Sequence, residues 1–183
     1  MQAVNVFDVI AQILSHVPLY VWGILALLVV MGRRQSRTQV VSRKRLVVLP
    51  LVWLVFGAWG VENGFGQSGT ASVALTAWAL GLAASVATLL ALGWPGQVRA
   101  QADTGHLVVP GSWLPLVVML SIFVCRFAVG MALGVQPSLS HSPVFAAVAS
   151  LSFGLLSGFF LGRSINILRR GRIDAPSATP MTA

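Results

Sequence analysis

The sequence predicts an all-α fold, a polytopic transmembrane bundle of five spans with its N-terminus outside and its C-terminus inside. Three observations carry this. Of 183 residues, 56% are hydrophobic and only 9% charged, which is too apolar for a soluble domain of this size. The apolar residues form runs near the roughly 20 residues that one hydrocarbon crossing needs. The cations are also clustered. Of the twelve Lys and Arg, six lie from Arg33 to Arg45 and four from Arg163 to Arg172, the bias that holds loops in the cytoplasm.

Taken in order, residues 3–14 place Phe7, Ile10 and Leu14 at helical spacing opposite Asn5, Asp8 and Gln12. This pattern suits a helix lying in the outer interface, or equally an extension of the first span. The first span is expected over 17–32, with Tyr20 and Trp22 at headgroup level. Six cations then keep the next loop inside. The second span, 46–61, contains Pro50 as a kink, and the uncharged-to-acidic stretch from Glu62 to Thr70 reads as an outer loop.

The third span, 71–92, ends at Trp94-Pro95-Gly96, and a small cytoplasmic hairpin is expected over 97–111. Ser112 is a suitable N-cap for the fourth span, 113–135, and Pro115 fits its first turn. After a short outer loop, Pro143 opens the fifth span, 144–163. Residues 174–183 have the composition of a disordered tail. One bundle, and so one domain, covers 1–173. Every Lys and Arg is then cytoplasmic or within a span.

Several function classes are excluded or disfavoured. A net charge of +8 invites a nucleic-acid reading, yet the cations flank apolar segments and form no solvated basic face. A single cysteine, Cys125, rules out an intramolecular disulfide. His16, His106 and His141 belong to loops on different sides, so no metal site and no cofactor is expected. There is no phosphate loop, HExxH motif, paired intramembrane carboxylates or Ser/His/Asp set, so no enzyme activity is expected.

Two constellations stand out. Ala146, Ser150, Gly154, Gly158 and Gly162 recur every four residues and strip one face of the fifth helix of bulk, allowing another helix to approach closely. Ala77, Gly81 and Ser85 make a weaker version in the third span. Such faces serve packing within a monomer or between two copies. Arg126 lies about 20 Å along the fourth helix from Trp113, at 1.5 Å per residue, deep in hydrocarbon. An unpaired charge there costs at least about 2.5 kcal/mol. Gly130 and Gly134 extend its face, which is therefore expected to point into the bundle. Glu62, or else Asp8, is the expected counter-charge, and the alternative is snorkelling to phosphate or backbone carbonyls.

The stretches Leu14-Ser15-His16-Val17-Pro18-Leu19-Tyr20-Val21-Trp22, Val109-Pro110-Gly111-Ser112-Trp113-Leu114-Pro115-Leu116 and Arg126-Phe127-Ala128-Val129-Gly130, with the helix ending Gly162-Arg163, resemble a family of small uncharacterised bacterial multi-span membrane proteins. That resemblance implies a bacterial inner-membrane location and brings no activity or catalytic residue. The expectation is a non-catalytic packing, partner-binding or assembly subunit in the lipid bilayer, with a homodimer or another membrane protein as its partner and no nucleic acid. The rival is a small-solute or ion transporter with Arg126 as intramembrane counter-ion.

Overall fold

The computed structural model describes residues 19–95, 98–100 and 106–173. The fold is predominantly helical. Its helices are α1 (Leu19–Gln35), α2 (Arg43–Phe65), α3 (Ala71–Leu92), α4 (Leu114–Val135) and α5 (Pro143–Ile173), with a 3-10 turn at Pro137–His141. Three short strands, β1 (Gln39–Ser42), β2 (Arg99–Ala100) and β3 (His106–Val109), form one antiparallel sheet in the order β1-β3-β2. Asp8, His16 and the expected helix 3–14 lie outside the described residues, as do Asp103 and the tail 174–183.

Four helices are long and apolar enough to cross a bilayer: α2, α3, α4 and the Pro143–Arg170 part of α5. These mark a membrane protein. The 17 described residues of α1 span about 25 Å, short of a hydrocarbon core of about 30 Å. Several helices run past the expected span limits into charged sequence, α1 through Arg33 and Arg34, and α2 from Arg43. Backbone pairing does not stop where the hydrocarbon does, because long basic side chains reach headgroups while their stems stay in the apolar layer.

The bundle is built around α5. Half of its apolar window is buried (50%), against 11% for α4. Its small-residue face meets α3. A Cβ at Gly154 would collide with the Trp78 carbonyl, one at Gly81 with the Leu151 carbonyl, and one at Gly158 would fall 2.7 Å from the Leu82 carbonyl oxygen. Ala146 and Ser150 are fully buried in the same seam. The Ser150 hydroxyl has no hydrogen-bond partner, so the residue acts there by its size. Asn166 closes the far end of the seam, donating from Nδ2 to the carbonyls of Leu89 (2.6 Å) and Trp94 (2.9 Å). Gly93, in the left-handed region at φ 63°, ends α3, and its N–H bonds the Leu89 carbonyl.

One end of the bundle is basic and carries the sheet. There Val98, Leu107, Val109, Leu46 and Ile167 form a buried cluster, and β1 pairs with β3 through Val41 and Leu107. β1 lies within the loop that the charge pattern marks only as cytoplasmic. Gly111 passes so close to Ser36 that a Cβ would strike its carbonyl. Beside it, Ser112 N–H donates to the Gln35 carbonyl at 3.0 Å. The Pro110-Gly111-Ser112-Trp113 turn is thus the joint between the end of α1 and the start of α4. The Ser112 hydroxyl accepts from Leu114 N–H at 3.2 Å, and the helix begins at Leu114 rather than Trp113.

At the opposite end, two turns are stapled together. Thr70 Oγ1 donates to the Ser140 carbonyl (2.8 Å), and His141 Nδ1 lies 3.1 Å from the Ser68 carbonyl oxygen. His106 sits in β3 at the other end, and among the described residues no three His, Cys, Asp or Glu side chains come together.

The seam predicts a sharp contrast between glycines. Gly154→Ala should destabilise the bundle by about 1–3 kcal/mol through overpacking, whereas Gly130→Ala, which meets nothing within 4 Å, should stay within about 0.5 kcal/mol. Equilibrium unfolding in mixed micelles checks both.

Candidate functional site

Arg126 is the one cation away from the basic end, and three elements set its surroundings. On α4, Cys125 and Val129 pack toward the buried cluster of Val61, Phe65, Ala149 and Phe153. Arg126, beside them, turns toward α2. Its guanidinium lies over Gly60, where any Cβ would collide with it. Nη2 is 3.4 Å from the Phe56 carbonyl oxygen, and Cζ stands 4.7 Å from the centre of the Phe153 ring on α5. The cation is therefore met by a carbonyl and the negative face of an aromatic ring.

Glu62 does not take part. It lies in the last turn of α2, whose helix continues to Phe65 instead of giving way to a loop at Glu62. Gly60 and Glu62 are separated by about 200° around that helix at 100° per residue. The residue that faces Arg126 is thus the glycine, and the exposed carboxylate bends back toward Gly66 instead. No ion pair joins Arg126 and Glu62. Gly130 and Gly134 correct a second expectation, for both are exposed and a Cβ on either would meet nothing. At 100° per residue Gly130 shares the helical stripe of Met119 and Arg126, and no neighbour covers that stripe at its level.

α1 leans on α4, where Gly32 receives the Leu116 side chain, while α2 packs on α5, with Trp53 stacked on Phe160 at 5.9 Å. Between these two pairs a lateral cleft of about 530 Å³ opens, walled by apolar side chains that include Leu28, Val52, Phe56 and Ile122. Arg126 and Ser157 supply its polar atoms. An apolar cleft with a single cation at depth can hold an apolar body carrying one acceptor or negative charge.

A second cavity of about 600 Å³ adjoins it at the basic end, and Met31 and Leu49 line both. Arg34, Arg37, Arg45 and Arg163 border this one. The loop cations are marked by their number in the sequence, but nothing local to any of them shows that they converge with Arg163.

The small-residue face of α5 is fully engaged by α3 and so belongs to the monomer's own packing. A family model described as a family of unknown function, DUF6622, matches residues 2–178. The chain belongs to this family. No curated protein and no solved structure matches it. In this DUF6622 member, three of the stretches that suggested a family resemblance land on the features just described, Val109 to Leu116 on the α1–α4 joint, Arg126 to Gly130 at the cleft and Gly162-Arg163 beside the basic cavity, while Leu14 to Pro18 lie outside the described residues.

A charge exchange tests the geometry of Arg126. Because Glu62 lies around the other side of α2, Arg126→Glu combined with Glu62→Arg should recover none of the folded yield lost by Arg126→Glu alone. Detergent-extracted monomer, quantified by size exclusion, is the readout, and recovery would restore the ion pair.

Proposed function

We propose that this protein is a non-catalytic subunit of the bacterial inner membrane, a five-span bundle with its N-terminus outside, that binds or assembles with another membrane protein through the cleft at Arg126. The supporting observation is the setting of that arginine. Its charge reaches an open lateral cleft, and its contacts are one long carbonyl bond and one ring. A partner helix presenting a carboxylate or free carbonyls there would give the cation a stronger counterpart, and the gain would be large where water is scarce. The α5 small-residue face is occupied within the chain, whereas the cleft is an open recess with a cation in its wall.

A transporter reading has one specific observation in its favour. The basic cavity and the Arg126 cleft share walls at Met31 and Leu49, so an anion held at the basic end lies one shared wall away from a second cation. Against it, the cleft lining is almost wholly apolar, a poor surface for a hydrated ion.

Ser157→Cys in a Cys125→Ser background separates the two readings, because Ser157 lines the cleft. For a partner-binding subunit, a membrane-impermeant thiol reagent should label it from neither side while labelling Ser138→Cys in the outer turn. Labelling of Ser157→Cys that millimolar phosphate suppresses would instead establish a water-filled anion route.

Orientation is tested separately with a reporter fused after Ala183. The charge bias places this fusion in the cytoplasm, and a periplasmic signal would leave the five-span arrangement untenable.

A further inference from the structure

The basic cavity concentrates more charge than orientation in a membrane requires. Arg34 comes from the last turn of α1, Arg37 from the turn that follows, Arg45 from the first turn of α2 and Arg163 from α5. Four separate segments thus bring guanidinium groups to one cavity, and among the described residues no carboxylate lines it. Glu62, the one acidic residue among those described, belongs to the opposite end of α2. Arg163 is half-buried against the Trp94 ring, 5.5 Å from Cζ to its centre, and its Nε is buried without a hydrogen-bond partner. A buried, unpaired guanidinium N–H is costly and is normally matched by an acceptor.

The helix ends add to this. α2 opens at the cavity with Arg43, Lys44 and Arg45 in its first turn and no acidic residue to offset the positive end of its dipole. An anion seated there relieves both.

The cavity's other walls are apolar. Met31 and Leu49 form a wall that it shares with the lateral cleft. Arg163 and Phe153 are ten residues apart on α5, so the basic cavity lies about 15 Å along that helix from the level of Arg126. This depth suits a headgroup at one level with acyl chain below it. Free phosphate would use the arginines and leave the apolar continuation idle.

From this arrangement we infer that the basic cavity is a binding site for the phosphate of an anionic membrane phospholipid, gripped by Arg34, Arg37, Arg45 and Arg163, with an acyl chain lying in the cleft between the α1–α4 and α2–α5 pairs. Basic pockets between helices at the headgroup level are suited to such lipids, and guanidinium groups match phosphate oxygens in pairs. The inference rests on the membrane embedding of the bundle; a partner helix entering the cleft at Arg126 would displace the acyl chain and leave the phosphate on the arginines.

The test uses the full chain purified in detergent, with phosphatidylglycerol as probe and phosphatidylcholine of the same acyl chains as control. Native mass spectrometry reads retained lipid, and thermal unfolding reads the accompanying rise in Tm. The wild type should retain phosphatidylglycerol and not phosphatidylcholine. Arg34→Gln with Arg37→Gln should weaken retention by about 5-fold for each arginine removed. Both side chains are exposed, so this variant should fold.

Arg33→Gln with Arg169→Gln removes the same charge at two exposed positions that do not line the cavity, and should retain the lipid. Equal loss in the two double variants would reduce the effect to general surface attraction and overturn the site. So would a Tm rise with inorganic phosphate equal to that with lipid, which would make the free anion the ligand. Binding that appears only after Asp103→Asn and Asp174→Asn would make the chain's own carboxylates the occupants. Thiol labelling at Ser157→Cys reports on the partner and transporter readings independently of all these outcomes.

Discussion

In hydrocarbon, an apolar side chain gains nothing by leaving lipid for another apolar side chain, so helices associate through close packing and through the few polar contacts they can share. The approach of α5 to α3 is therefore the constraint from which the other positions follow. With glycine at 154, 158 and 162 on one helix and at 81 on the other, backbone meets backbone, and carbonyls of Trp78, Leu82 and Leu151 occupy the space that β-carbons would fill. Asn166 then locks the register, since its Nδ2 reaches the Leu89 carbonyl in the last turn of α3 and the Trp94 carbonyl just beyond it. The flanks of α5 that do not touch α3 remain for α2 and α4. These helices meet α5 through side chains, Trp53 stacked on Phe160 and Cys125 and Val129 packed toward Phe153. The cleft lies between the α1–α4 and α2–α5 pairs.

Arg126 lines this cleft. Its charge is not neutralised by the nearest acid, and the reason is rotational: Gly60, and not Glu62, faces α4. The absence of a side chain at Gly60 lets the guanidinium reach the α2 backbone, where the Phe56 carbonyl is the acceptor already used by the helical ladder. A carbonyl shared in this way, together with an aromatic face, stabilises a cation less than a carboxylate does, and it leaves most of the guanidinium's donors unspent. An arginine so placed keeps its capacity to bind something else. A full ion pair would have closed the same cleft.

Much of this arrangement is written in the sequence, though unevenly. The four-residue recurrence from Ala146 to Gly162 announces a face for close approach, because packing in a membrane is selected by size and size is visible residue by residue. It leaves open whether the opposing surface is another helix or a second copy, and the seating on α3 depends on the whole bundle. The rotation that separates Glu62 from Arg126 is in principle legible, since residues two positions apart on a helix face about 200° apart. Sign and depth point to Glu62 all the same, because the glycine and polar content of Glu62 to Thr70 reads as a loop, free of helical geometry. The strand β1 was hidden for another reason. Val40 and Val41 carry β propensity, yet four residues between clusters of cations form a strand only when β3, more than sixty positions later, supplies the pairing.

The sheet also explains how a loop with so many charges comes to carry structure. A stretch of like charges in water repels itself and stays extended. Here β1 is hydrogen-bonded to β3, Ser112 N–H holds the end of α1, and Val41 and Val109 anchor the strands to the buried cluster with Leu46 and Ile167. Arg34 and Arg37 before the strand and Arg45 after it are thereby fixed around one cavity, at a like-charge cost that no solvated loop would need to bear. α5 adds Arg163 from the side, from a helix already pinned by its seam with α3. Orientation by charge depends on where basic residues lie along the chain and is indifferent to whether they converge. Convergence of four arginines from four segments requires the sheet, the α1–α4 joint and the α3–α5 seam together, and this places the basic cavity among the features that the fold as a whole is built to hold.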